Sequence, residues 1–414
     1  MQDTNDLSHQ IVIVGGGSAG IATAASLLAR DAALDIAIID PAETHYYQPG
    51  WTLVGAGVFD AQATARSLNS LIPKGAQRLK ASVAAFAPED NQLTLADGRT
   101  VRYQQLIVCP GLKLDWDAIE GLTETLGRNG VTSNYRFDLA PYTWQLVQQL
   151  KQGKALFTQP PLPIKCAGAP QKAMYLSCDH WLKNGHLSQI KPMFFNAGGV
   201  LFGVAEYVPA LMDYVERYGI NLQFGNRLVA VDGPRQVATF VRTLADGSSE
   251  TIEESFDMLH VVPPQVAPDF IRQSPLADAS GWVDVDPATL RHRGFANVHG
   301  LGDVVNTSNA KTVAAARKQA PTVANNVLVA MGRLSRLAQY DGYGSCPLTV
   351  ERGKIVLAEF TYGGKLAPSF PAWLLDGRHP TRLAWLLKER ILPPLYWRGM
   401  LRGKEWLARP KLDG

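Results

Sequence analysis

The apolar positions of this chain come in short unbroken runs, each closed by glycine, proline or an acid. Residues 11–14, Ile-Val-Ile-Val, are β-branched and uncharged, as a strand buried on both faces reads. Gly15, Gly17 and Gly20 follow, with Ser18 and Ala19 opening an Ala/Leu-rich stretch that predicts a helix. A second apolar run, 36–39, ends in Asp40. Further on, 80–86 reads as a strand. Residues 92–101 read as a hairpin with a type I′ turn at Asp97-Gly98, and 106–108 as another buried strand before Gly111. Helical patterns cover 142–150, 174–182 and 311–331; strand-like runs lie at 155–158, 193–196, 295–303 and around Ile355 and Phe360.

Strand, glycine turn, helix, strand and terminal acid in one unit form the context that a dinucleotide-binding turn demands. The first glycine permits the tight turn, the second lets backbone approach a pyrophosphate, and the third lets helix pack on strand. Asp40 stands where an acid binds a ribose hydroxyl. The order of elements resembles that of a two-dinucleotide-domain flavoprotein. The expected fold class is therefore α/β, with two Rossmann-like domains of the glutathione-reductase type and a C-terminal amphipathic region. The expected boundaries are 1–115 and 286–332 for the first domain, 116–285 for the second and 333–414 for the C-terminal region. After 193–196, where a second fingerprint would begin, Gly198, Gly199 and Gly203 do not keep the G-x-G-x-x-G spacing. The second domain is expected to lack a working nicotinamide-nucleotide turn.

Composition narrows the setting. The 414 residues carry a net charge of +3, so no global field draws nucleic acid. Nothing in the first forty residues reads as a signal peptide, and no run is long enough to span a bilayer. The four cysteines include no C-x-x-C pair and no Cys/His cluster at zinc spacing, so no metal site is expected.

Cys166 lies in Pro163-Ile-Lys-Cys-Ala-Gly-Ala-Pro-Gln-Lys172, beside Lys165 and just ahead of a predicted helix. Both neighbours favour thiolate, although a buried, inert cysteine is the equally weighted plain alternative. Cys346, in Asp341-Gly-Tyr-Gly-Ser-Cys-Pro, is also flanked by turn residues. Two loop cysteines in a flavoprotein suggest a redox pair, provided that the fold brings them within bridging distance. Cys109 and Cys178 read as packing residues, and His180, His292 and His299 as structural or solvated.

At this point the resemblance becomes specific. The chain resembles sulfide:quinone oxidoreductase, in the branch that includes the mitochondrial enzyme. The matching pieces are Gly15 to Gly20, His45-Tyr-Tyr-Gln-Pro-Gly, the Cys166 motif, Phe202-Gly-Val, Gly302-Asp303 with Lys311-Thr, Tyr343 to Pro347 and Ser369-Phe-Pro. The resemblance implies FAD in the first domain and two essential cysteines, Cys166 and Cys346. It further implies Gln48 on the flavin-side loop, the Val83 backbone by the adenine, and Asp303 and Lys311 by the ribitol and flavin ring. Hydrosulfide would attack at Cys346, leave a persulfide there and release Cys166 as thiolate toward the flavin. The sulfane sulfur would pass to sulfite, a small thiol or sulfide, and the electrons to a ubiquinone-type quinone. Lys165 and Lys172 are candidates for drawing the anions; Phe360, Phe370 and Trp373 are candidates for the quinone. A homo-oligomer remains open. The competing readings are a type II NADH:quinone oxidoreductase, a flavocytochrome-type sulfide dehydrogenase and a non-enzymatic flavin-binding assembly factor.

The tail supports the quinone half. From Trp373 to Gly414 there are nine Lys/Arg, four Asp/Glu and four of the nine tryptophans. Leu383, Trp385, Leu386, Leu387 and Ile391 can form an apolar face beside Arg382, Lys388 and Arg390, and Pro393-Pro394 is expected to break the helix in two. Aromatic anchors with basic residues describe a segment lying in the membrane interface. Peripheral attachment to the cytoplasmic face of the inner membrane is expected. The tail is also expected to be removable without emptying the dinucleotide site.

Overall fold

The structure, a computed structural model, describes residues 6–244 and 246–413. Its first sheet is built on β1 (Asp6–Val14), which is longer than the apolar run alone suggests. β1 pairs in parallel with β2 (Ile36–Ile39) on one side and β8 (Thr100–Val108) on the other; Ile11, Val12 and Ile13 are fully buried. Between β1 and β2 runs α1 (Ser18–Arg30). β3 (Thr44–Tyr46) and β4 (Ala65–Ser67) form a small ribbon enclosing α2 (Trp51–Val54). β5 (Ala76–Leu79) extends the sheet beyond β2, whereas β6 (Val83–Ala87) and β7 (Gln92–Leu95) form an antiparallel arm on β8.

Three local expectations are corrected here. The strand expected over 80–86 begins only at Val83, because the chain leaves the parallel sheet after Leu79 and spends 80–82 reversing to enter the antiparallel arm. The hairpin turn is not type I′: Gly98 has φ +88° but Asp97 does not share the left-handed region. Gly98 N donates to the Leu95 carbonyl and Leu95 N to the Arg99 carbonyl, which makes a type I turn closed by a glycine bulge. The run 106–108 is the second half of β8, continuous with the hairpin.

The second sheet is wholly parallel. Its order is β9 (Val131–Thr132), β16 (Met258–His260), β10 (Gly153–Gln159), β11 (Ile190–Asn196), β12 (Asn221–Phe224). α3 (Ala140–Gln149), α4 (Ala169–Lys183) and α5 (Val208–Tyr218) connect its strands, and an antiparallel unit, β13 (Asn226–Asp232), β14 (Val237–Thr243) and β15 (Ser249–Ser255), precedes β16. β17 (Val298–Gly300) then returns to the first sheet beside the second half of β8, followed by α6 (Val313–Ala330). In both sheets the chain moves away from one strand in opposite directions, β1 in the first and β10 in the second. The crevices beyond the ends of those two strands are where open α/β sheets hold ligands.

The C-terminal region begins with an antiparallel pair, β18 (Gly344–Glu351) and β19 (Lys354–Phe360). It continues in α7 (Arg382–Leu386), a π-helical turn over Leu387–Ile391, and α8 (Leu392–Arg398). Pro393 and Pro394 do not break this path: they fall in the first turn of α8, where the missing N–H has no intrahelical partner to lose. Nor is the region an appendage. Tyr396, Trp397, Met400 and Leu401 are buried in the first domain's core with Ile11 and Leu106, and Glu405 binds Arg30 and Ser26 of α1. Among the described residues, no helix is long and apolar enough to cross a membrane.

Candidate active site

The dinucleotide turn carries a separate steric reason at each glycine. Gly15 has φ +111°, and a Cβ there would fall 2.4 Å from the Cys109 carbonyl oxygen. A Cβ at Gly20 would fall 1.9 Å from the Gly15 oxygen, while Gly17 and Gly111 face open space. Asp40 holds the turn: it accepts from Gly16 N at 2.6 Å and from Ala42 N at 2.8 Å. Ala19 packs against Gly302, which has φ +79°. An open turn in front of the α1 amides, with a carboxylate at the end of β2, fits the diphosphate and ribose of a dinucleotide. Cys109 is buried there with Sγ 3.6 Å from the Gly15 oxygen, and burial pushes its thiol up, as befits a packing residue. Val83 is buried in the antiparallel arm.

One residue of this turn has a partner that the sequence did not suggest. Tyr396 OH lies 2.6 Å from Ser18 Oγ and 2.5 Å from His45 Nε2. His45 Nδ1 faces the Gly16 carbonyl at 3.2 Å, so Nδ1 is the donor and Nε2 the acceptor. Tyr396 therefore donates to His45 and accepts from Ser18, which ties α8 to the start of α1.

The loop after β10 delivers Cys166 to the second crevice. Cys166 has φ +48°, a strained conformation for this residue type. It is held by backbone bonds: Cys166 N donates to the Lys311 carbonyl at 2.8 Å, and Ala169 N to the Cys166 carbonyl at 2.7 Å. Tyr135 OH adds a bond to the Lys165 carbonyl at 3.0 Å. Cys346 is not in a loop, as its turn-forming neighbours suggested. It lies within β18 opposite Ala358, only 2% exposed, because strand pairing overrides local turn chemistry. The two sulfurs stand 3.5 Å apart. Gly168 makes the approach possible, since a Cβ there would lie 2.5 Å from Cys346 Sγ.

The two sulfurs differ electrostatically. The hydrogen bond from Cys346, and then the ammonium of Lys172 at 3.1 Å, hold Cys166 well below the ordinary thiol range. The same sulfur contact and burial hold Cys346 well above it. Burial pulls buried Lys172 down, but the negative sulfurs more than offset this and its pKa is raised. Cys166 is thus the thiolate and Cys346 the thiol.

A cavity of about 420 Å³ adjoins the pair. Gln48, Asp303 and Lys311 line it from the elements around the first sheet, and Lys165 from the Cys166 loop. Lys165 Nζ donates to Gln48 Oε1 at 2.7 Å, and burial brings its pKa down to about 8. Lys311 Nζ donates to the Asp303 and Val305 carbonyls, both at 2.7 Å; burial brings it also to about 8 and pushes the Asp303 carboxyl up. Phe370 lines the cavity, but the other two quinone candidates do not. Phe360 packs on Phe202 behind it, and Trp373 is 84% exposed. Lys388, placed by the sequence beside the apolar face of the tail, instead points inward and lines the cavity.

The second fingerprint does not belong after 193–196, where the sequence suggests it. β10, not β11, is the strand from which the second sheet turns in both directions, so the equivalent turn is 160–168, which holds Cys166 and no G-x-G-x-x-G, and Asn196 ends β11 where Asp40 follows β2. Asn196 Oδ1 accepts from Gly198 N at 2.8 Å and Nδ2 donates to the Val200 carbonyl at 2.9 Å, and the next α-helix starts only at Val208. Among the described residues, no group of His, Cys, Asp and Glu could hold a metal.

Comparison with known proteins agrees with this geometry. Residues 9–147 match the pyridine nucleotide-disulphide oxidoreductase family. The chain is 38% identical over 395 residues to the mitochondrial sulfide:quinone oxidoreductase of Mus musculus, covering 95% of this chain and 87% of that protein. It is 40% identical over 406 residues to that of Dictyostelium discoideum, covering 97% and 88%. Its fold matches the sulfide:quinone oxidoreductase from Aquifex aeolicus with a TM-score of 0.77 at 16% identity, covering 96% and 92%. It matches NDH2 from Plasmodium falciparum less well, at 0.62 and 13%, covering 95% and 99%. With identities of this size over nearly the whole length, the chain belongs to the sulfide:quinone oxidoreductase family.

Proposed function

We propose that this protein oxidises hydrosulfide to sulfane sulfur at Cys166 and Cys346 and passes two electrons through FAD to a ubiquinone-type quinone. The observation that carries the reading is the cysteine pair itself. Two sulfurs 180 positions apart in sequence meet at 3.5 Å, one biased to thiolate by Lys172, beside a cavity. FAD would be held by Gly15, Gly17, Ser18, Ala19, Gly20, Asp40, Val83, Gly111 and Gly302, with Gln48, Asp303 and Lys311 nearer the cavity. When bound, FAD supplies the two-electron carrier between the thiol pair and the quinone.

The roles of the chain's own groups follow from their settings. In the disulfide state, hydrosulfide attacks Cys346 Sγ and the bond to Cys166 breaks. Cys166 is the better leaving group because its thiolate is stabilised, and Lys172 holds the charge released. Cys346 is left with a persulfide, whose outer sulfur is removed by sulfite, a small thiol or a second sulfide. Phe370 lies on the wall that a quinone ring would meet.

The quinone calls for a membrane, and the tail offers the surface. Trp373, Leu374, Leu386, Ile391, Trp406 and Leu407 are exposed, with Arg382 and Arg390 among them. Such a surface suits peripheral attachment, on the cytoplasmic face of the inner membrane. The test is anaerobic addition of sulfide to the purified protein. Bleaching of the flavin and sulfide-dependent quinone reduction are expected. Cys166→Ser and Cys346→Ser should each retain FAD and lose the activity, whereas Cys109→Ala and Cys178→Ala should remain active. Retention of most activity by Cys346→Ser would refute the two-cysteine scheme.

A further inference from the structure

A helix on a protein surface keeps charges off its buried stripe, because a buried ammonium gives up its hydration. The tail departs from this rule once. Along 382–398 the inward positions include Ala384, Lys388 and Tyr396, and Lys388 is only 4% exposed. A π-helical turn carries it inward while Leu386 and Ile391, on the same path, face outward. Single π turns inside α-helices recur at functional sites.

The setting of this lysine is unusual in two ways. Its ammonium has three donors, yet among the described residues one hydrogen bond is found, to the Pro49 carbonyl at 3.3 Å. Its titratable neighbours are Lys172 from α4, Cys166 from the loop ahead of α4 and Cys346 from β18. Glu389, next in the chain, turns instead to Trp385 Nε1 and Arg390. Burial and then the Lys172 ammonium bring Lys388 down to about 7, while the two sulfurs pull the other way. Lys172 already pairs with Cys166 at 3.1 Å, so a second ammonium is favoured only while the pair carries negative charge.

We infer that Lys388 is the proton acceptor of the sulfide half-reaction: neutral beside the disulfide, it takes the proton of entering hydrogen sulfide and then, as ammonium, holds the new thiolate. The inference rests on the sulfide-oxidising reading above. The step balances. Hydrogen sulfide gives one proton to Lys388 Nζ, and the resulting hydrosulfide attacks Cys346 Sγ. One S–S bond forms as the Cys166–Cys346 bond breaks. Sulfide is oxidised by two electrons and the disulfide is reduced by the same two. The products are a Cys346 persulfide, a Cys166 thiolate and a Lys388 ammonium, with no net change of charge.

The test uses the full-length, FAD-loaded protein with K388M, which keeps length and suits a buried stripe, and K388R, which keeps a charge that cannot be released. Two quantities are read: the thiolate absorbance of the reduced pair against pH, and kcat/KM for sulfide across the neutral range. K388M should raise the apparent pKa of Cys166 by about one unit, a roughly tenfold loss of thiolate below that pKa. Its kcat/KM should fall and should rise with pH in step with the fraction of sulfide already deprotonated. K388R should restore the thiolate titration but not the rate. An active unaltered protein whose K388M variant keeps both the titration and the pH profile would overturn the inference alone, as would full rescue of the rate by K388R. Absence of sulfide oxidation by the unaltered protein would overturn the reading of function, and this inference with it.

Discussion

Deleting residues 381–414 should empty the dinucleotide site, contrary to the separation of parts that the sequence suggests. The deletion strips Tyr396, Trp397, Met400 and Leu401 from the core that surrounds β1, and all four are buried. Truncating one such side chain to alanine costs roughly 2–5 kcal/mol. Even with strong non-additivity, losing four should cost ~10 kcal/mol, comparable to the about 5–15 kcal/mol that holds a domain together. The deletion also leaves Arg30 without Glu405 and Ser18 without Tyr396. The assay is the flavin-to-protein absorbance ratio of the purified deletion variant, followed by a thermal melt read through flavin release. Colourless or aggregated protein is expected. A yellow, monodisperse product melting with the full chain would refute the argument, because the tail would then be peripheral to the core around β1.

Membrane attachment is better tested by point changes on exposed positions. Trp373→Ser, Leu374→Ser, Leu386→Gln and Ile391→Gln together should leave folding and FAD intact while reducing vesicle co-sedimentation roughly a thousandfold, at about 1 kcal/mol for each partly buried side chain. Salt alone should elute little of the unaltered protein, since apolar insertion is not screened; an unchanged affinity of the fourfold variant would place the contact elsewhere. Tyr396→Phe keeps the ring but removes the partner of His45 Nε2 and of Ser18 Oγ, at a cost of about 2 kcal/mol. FAD should then be lost on dilution roughly thirtyfold faster, and an unchanged loss rate would show that the network does not hold the turn. NADH at micromolar concentration should not bleach the flavin, because the turn after β10 carries Cys166 and no G-x-G-x-x-G; rapid bleaching would count against that reading.

The parts of the site that were legible are those fixed by neighbouring residues. Gly15, Gly17 and Gly20 could be assigned because each answers a demand made within a few residues of itself. The thiolate bias of Cys166 was legible for a similar reason, although the cation in contact is Lys172, six residues on in the first turn of α4, rather than adjacent Lys165. Cys346 was misread as a loop residue because Gly344 and Pro347 are turn formers, and only its pairing with β19 shows it to be in a strand. Lys388 was misread for the opposite reason. A lysine in an amphipathic tail is normally solvated, and nothing local distinguishes the one that a π turn carries inward. Tyr396 was invisible because its partners stand at the far end of the chain.

That last separation has a consequence for biosynthesis. Ser18 and Tyr396 are 378 positions apart, so a growing chain exposes its phosphate turn long before the ribosome makes the residue that fastens it. The strands and helix around Gly15 can assemble early, but the wall formed by Tyr396, Trp397 and Met400 arrives last. Stable loading of a dinucleotide therefore waits until Tyr396 has been made. A ribosome stalled within the tail would leave an apoprotein with its core open on one side, a natural target for quality control. Engineered fusions should accordingly join this protein after the tail rather than replace it.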